Sequence, residues 1–306
     1  MIAHYMALIR RELWEHRAIF VTPLVIGTIV TLGTLTALMF VGDFQKELNL
    51  AIFGAQNVAG EFERRAALTA FYGGTSWLFL LGLGVLTVFY ALDALYAERK
   101  DKSILFWRSL PVTDAETVIS KLVTAVLVIP AIAIAGIIVT HLVNLVITSL
   151  WVASKGGSAG TLIWGSVPFF DNWMATILVI YATAIWMSPF LGWLLFVSAW
   201  TKRAPLMVAF LPLVLIPMIE GIFLRSAHFA EAEWGRGAKI PLFQAGIDVE
   251  EFFDEEHLQL SEEMVSLLAH IDLGRFFSSV DTWIGIVVCG LLTTAAIYVR
   301  RYRDES

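Results

Sequence analysis

The stretch IFVTPLVIGTIVTLGTLTALMFV, residues 19–41, carries no charged side chain. At 1.5 Å of rise per residue, a helix of that length crosses about 30 Å of hydrocarbon. It is too long for the core of a signal peptide and has no small-residue cleavage site behind it, so it is expected to stay as a spanning helix. Five more runs of comparable length and apolarity follow, at about 75–95, 122–152, 174–200, 205–224 and 282–299. A segment with no water to satisfy its backbone must close its own hydrogen bonds, which makes each of these runs helical. The expected fold is an all-α membrane protein with six transmembrane helices in a single transmembrane domain over 1–306.

Composition agrees. Of 306 residues, 58% are hydrophobic and 16% charged, and the mean hydropathy is +0.74, far from the averages of water-soluble domains. The net charge of -6 acquires meaning only when divided between the two sides. Lys and Arg near helix ends are retained in the cytosol. Arg10, Arg11 and Arg17 precede the first run; Arg99, Lys100, Lys102, Arg108 and Lys121 lie between the second and third; Lys202 and Arg203 join the fourth to the fifth; Arg300, Arg301 and Arg303 end the chain. Six crossings place all four groups on one face, which is therefore expected to be cytosolic together with both termini. The segment 225–281, rich in acids such as Glu231, Asp248, Glu250, Glu251 and Asp254, belongs outside.

Between the crossings the pattern changes. In residues 1–18, Ile2, Tyr5, Met6, Ile9, Leu13 and Trp14 recur at helical spacing while Arg10, Arg11, Glu12 and Arg17 take the other face. This predicts an interfacial helix lying on the cytosolic leaflet. Trp164, Phe169, Phe170 and Trp173 read as an aromatic belt, and VEEFFDEEHLQLSEEMVSLLAHI, before the last run, predicts an extracytoplasmic helical element.

The segment 96–121 is too charged to cross a membrane. Glu98, Arg99, Lys100, Asp101 and Lys102 run into Ile104, Leu105, Phe106 and Trp107, an amphipathic helix too short to span. Arg108 and Leu110 follow, and Pro111 stops it. Thr113 and Glu116 then form a Thr-x-x-Glu capping box that opens the next helix.

This stretch resembles the loop between the second and third spans of permeases of type-2 ATP-binding-cassette (ABC) exporters. The matching residues are Glu98-Arg99-Lys100-Asp101-Lys102-Ser103 and Ser109-Leu110-Pro111-Val112-Thr113. The resemblance extends to the amphipathic N-terminal helix, the six spans and the large outer segment before the last. It implies that 98–111 is a coupling helix docking on an ATPase subunit. It also implies two ATPase copies, a second permease copy in a homodimer or heterodimer, a bacterial inner-membrane location, and outward movement of an amphipathic substrate such as a lipid, peptide or drug.

No G-x-x-x-x-G-K-[ST] occurs, so ATP and Mg would be held by the partner, with no cofactor, catalytic residue or metal in this chain. The six histidines are scattered, with no H-E-x-x-H, and the one cysteine, Cys289, has nothing to pair with. Nucleic acid is not an expected partner; membrane lipid is. Polar residues at membrane depth are the remaining candidates for a substrate path: His141, Asn144 and Glu220. A non-transporting membrane scaffold, or an embedded lipid-modifying enzyme that uses those three residues, stays open as an alternative.

Overall fold

A computed structural model describes residues 2–54, 58–109, 111–243 and 267–302 of the chain. Among these the secondary structure is helical, with one isolated antiparallel bridge between Phe243 and Ile271. Six helical segments are long and apolar enough to cross a membrane: Ala18–Phe40, Arg64–Lys100, Asp114–Ser154, Phe169–Trp186, Pro205–Leu224 and Val280–Tyr302. The expected all-α, six-span fold is what the chain adopts.

Helix α1 (Ile2–Glu15) precedes α2 (Ala18–Phe40), and a short α3 (Gly42–Phe53) follows on the far side. The second crossing is α4 (Val58–Ala94), continued by α5 (Tyr96–Lys100) and α6 (Ile104–Arg108). The third is α7 (Asp114–Val123), a π-helical turn at Thr124–Val128, and α8 (Ile129–Ser154). The extra residue per turn in that π segment accommodates Pro130, which has no N–H to donate and whose ring would crowd the carbonyl four residues back.

The apolar run 174–200 is two helices, α9 (Phe169–Trp186) and α10 (Ser188–Trp200), meeting at Met187. Pro189 cannot donate back across the break. At the break the carbonyl of Trp186 accepts from Arg236 Nε at 2.9 Å, and the Arg236 guanidinium sits 4.3 Å over the Trp186 ring. Arg236 belongs to α12 (His228–Ala238), reached after α11 (Pro205–Ile219) and a second π turn at Glu220–Leu224. The chain ends with α13 (Leu273–Ser278) and α14 (Val280–Tyr302). Most of the stretch 249–271, where a far-side helix is expected, lies outside the described residues.

The largest apolar core joins α2, α4, α7, α8, α10, α11 and α14 through residues such as Ile19, Leu95, Val118, Ile129, Leu194 and Ala296. Two helix pairs approach closely through glycine. A Cβ at Gly27 of α2 would meet Thr140 Oγ1 at 2.5 Å, and one at Gly136 of α8 would meet Pro23 Cβ at 2.9 Å. A Cβ at Gly192 of α10 would sit 3.1 Å from the Cα and carbonyl oxygen of Cys289 and 3.2 Å from Leu292 Cβ. Small residues at such crossings let backbones touch where lipid supplies no hydrophobic drive between helices.

Substituting Gly192→Val should force α10 from α14 and cost about 1–3 kcal/mol, read as a lower unfolding midpoint in detergent. Gly290→Ala, whose Cβ meets nothing within 4 Å, should leave the midpoint unchanged or raise it. Equal midpoints for Gly192→Val and wild type would show that the contact is not tight.

Candidate functional site

The face where α1 and the end of α14 both pack on α7 holds the charged segment singled out by the sequence. Its foundation is local. Thr113 Oγ1 accepts from the Glu116 backbone N at 3.1 Å and Glu116 Oε2 accepts from the Thr113 backbone N at 2.8 Å, so the capping box is formed and α7 starts at Asp114. Along α7 and into the π turn, Thr117, Val118, Lys121, Thr124 and Ala125 make one buried stripe at helical spacing. Lys121 is on that stripe and is 0% exposed.

Burying an ammonium group requires counter-charges. Lys121 Nζ donates to Glu12 Oε1 at 2.8 Å and lies 3.1 Å from Glu98 Oε1. Glu98 Oε1 also accepts from Arg11 at 2.6 Å, and its Oε2 from Arg300 at 2.6 Å. Arg300 Nε donates to Asp114 Oδ1 at 2.9 Å, and Tyr90 Oη donates to Glu12 Oε2 at 3.0 Å. Arg11 also donates to Glu15 at 2.9 and 3.3 Å, so three cations meet four carboxylates, and they come from α1, α5, α7 and α14. His16 packs edge-on to Tyr90, with ring centroids 4.9 Å apart. Burial pushes its imidazole below the ordinary range, although Glu12 pulls the other way.

A second set of bonds holds the bend between α4 and α5. Ser198 Oγ, from α10, donates to Leu92 O at 2.7 Å and accepts from the backbone N of Leu95 and of Tyr96, each at 3.0 Å. Arg99 donates to the carbonyls of Ser198 and Thr201, a cation on the open carbonyl end of α10.

The residues expected to face a partner divide into two sets. Glu98 and Ile104 are buried, Arg99 is tied to α10, and Trp107 is half-buried with the Arg11 guanidinium 3.4 Å from its ring centre. Lys100, Asp101, Lys102, Phe106 and Pro111 are exposed. Phe106 is 60% exposed. Lys102, with φ of 57°, makes the tight turn between α5 and α6 in a conformation that side chains other than glycine adopt at some cost. Leu110 lies outside the described residues, as do the side chains of Leu105 and Arg108.

The polar face of α1 also differs from its expected place. Glu12 and Arg11 read as a water-facing pair, yet Glu12 is buried and Arg11 largely so. Arg11 is matched by Glu15 of α1 and Glu98 of α5, and Glu12 by Lys121 of α7. Met6 and Trp14 remain exposed.

The membrane-depth candidates are not brought together into one site. Trp173 Nε1, which can only donate, bonds His141 Nδ1 at 3.1 Å. That assigns the ring proton to Nε2, 2.8 Å from Thr75 Oγ1. His141 thus joins α4, α8 and α9 as a neutral hub. Asn144 Nδ2 donates to Thr140 O at 2.8 Å, while its Oδ1 is buried with no hydrogen-bond partner among the described residues. Glu220 accepts from Ser226 Oγ and from the backbone N of His228 and Phe229, at 2.8, 2.8 and 2.9 Å. A carboxylate there satisfies the open N–H groups at the start of α12.

The sequence pointed to the loop and missed Glu12, Tyr90, Lys121 and Arg300. Lys121 alone left a local signal, a basic residue on the apolar stripe of an amphipathic helix.

A family model described as ABC-2 family transporter protein matches residues 67–226, more than half of the chain. The match takes in α5, α6 and α7. No curated protein and no solved structure matches the chain.

Proposed function

The chain belongs to the ABC-2 family of membrane transporter proteins, and from that premise we propose that it is the permease subunit of an ABC exporter whose α5–α6 segment receives a separate ATPase. The observation that carries this is the exposed face of α6, with Phe106 outward, anchored by the ion cluster of Glu98, Lys121 and Arg300. A docking element has to be apolar enough to bind and stiff enough to transmit movement. Here it is bonded to α1, α7, α10 and α14, so displacement of α6 displaces several spans together.

In this reading the exposed face is cytosolic, as are both termini, and the membrane is a bacterial inner membrane. Two ATPase copies bind ATP and Mg and serve a pair of permease chains. The cargo is amphipathic and moves outward.

A mild-detergent pull-down of the tagged full chain tests the reading, with mass spectrometry of its partners and an ATP-hydrolysis assay. A stoichiometric nucleotide-binding-cassette protein with ATPase activity is expected. A chain that purifies alone without ATPase activity would replace the permease reading with that of a scaffold.

A further inference from the structure

A cavity of about 410 Å³ lies where three spans end on one face, between the start of α2, the last turns of α4 and the start of α11. Its lining includes His16, Ile19, Leu86, Phe89, Asp93 and Met207. That volume falls among small-molecule sites, which run from about 300 to 1,000 Å³. Along α4, Leu86, Phe89, Tyr90 and Asp93 stand at i, i+3, i+4 and i+7, so one lining face of the helix passes from apolar to acidic. Seven residues of helix give it a rise of about 10 Å. The cavity is therefore graded, apolar deep along the span and anionic at the span's end.

Asp93 is exposed in this cavity and makes no hydrogen bond or ion pair among the described residues. Arg17 and Arg203, exposed and next in sequence to the lining residues His16 and Ala204, leave it unpaired. His16 adds no counter-charge near neutral pH, because burial holds its imidazole below the ordinary range. Phe89, Tyr90 and Tyr96 place three aromatic rings in the wall, surfaces that attract ammonium groups. Phe89, Leu206 and Met207 line the cavity and are also exposed on the lipid-facing side of their helices, so it opens toward the leaflet. Tyr90 donates to Glu12, which sets the cavity directly against the ion cluster that anchors α5 and α6.

We propose that this cavity binds an amphiphile through its ammonium group, with Asp93 as the counter-charge and the apolar body lying along Leu86 and Phe89. That the bound compound is cargo rests on the permease reading. Binding itself does not, and it is measured without an ATPase, so the two can fail separately.

The test uses the full chain in a maltoside detergent with a twelve-carbon primary amine carrying a diazirine, beside the alcohol of the same length and diazirine position. After irradiation, adducts are mapped by mass spectrometry. Amine adducts concentrated on residues 16–19, 86–96 and 204–207 are expected. Asp93→Asn should lower their yield at least fivefold, and Asp93→Glu should restore at least half of it. The alcohol should label all three chains alike. Adducts on α14 that stay unchanged, with a normal size-exclusion profile, report that the variants are folded. An amine yield unaffected by Asp93→Asn, or an equal loss with amine and alcohol, would overturn the proposal. Two competitors identify the source of the ammonium group. Displacement of the probe by both phosphatidylethanolamine and decylamine assigns it to a lipid of the leaflet, and displacement by decylamine alone assigns it to a smaller amphipathic amine. Displacement by neither would mark the adducts as adventitious and overturn the proposal.

Discussion

Lys121→Met lowers the stability of the folded chain by about 3–5 kcal/mol, the usual range when one partner of a buried ion pair is removed. The reason is asymmetric. Glu98 keeps Arg11 and Arg300, each at 2.6 Å, but among the described residues Glu12 keeps only Tyr90 as a hydrogen-bond donor from across the cluster. A carboxylate with its counter-charge gone, in a place solvent does not reach, is what raises the cost. The loss should appear as a lower unfolding midpoint in detergent and as less folded protein on size exclusion. Glu12→Gln in the same chain should recover part of it, because the residue left behind is then neutral. Lys100→Met, at an exposed position, should have little effect, as exposed charges contribute little. A Lys121→Met midpoint equal to that of wild type would mean that the cluster does not hold these helices together.

The second large effect concerns association rather than folding. Phe106→Asp should weaken the complex with the proposed ATPase at least tenfold, with the unfolding midpoint unchanged. The side chain is outward and makes its only ring contact with Trp107, at 5.1 Å, among the described residues. Removing a central aromatic from an interface and placing a charge there is the kind of change that abolishes binding. Neighbouring positions are poorer probes. Ile104 is 0% exposed, so a charge there unfolds the segment, and Trp107 holds Arg11 in place beside Glu98. Normal partner stoichiometry with Phe106→Asp would show that the exposed face of α6 is not the docking surface.

Much of the architecture was legible because its signals are local. A run of apolar residues longer than the bilayer is thick needs no distant partner to be read as a span, and all six runs correspond to helices or helix pairs. The Thr113–Glu116 box was equally readable, since both of its hydrogen bonds close within three residues. The break at Met187 was not, although Pro189 stands beside it. Whether a proline bends or breaks a membrane helix depends on what packs at the break, and here that is Arg236, which bonds Trp186 O from 50 residues on. His141 and Glu220 read in the sequence as polar groups at depth, but their donors and acceptors come from Trp173, Thr75 and the start of α12.

The sequence by itself determined the helical class, the number of crossings, the grouping of basic segments on one face and the short amphipathic element between the second and third spans, because hydrophobic length and i,i+3 spacing act within one segment. Tertiary structure alone decided which charges of that element face outward and which are buried. Glu98 and Arg300 are 202 residues apart. A carboxylate reads the same in a chain whether water or a guanidinium surrounds it, and only the packing of α1, α5, α7 and α14 supplies the counter-charges that let it be buried.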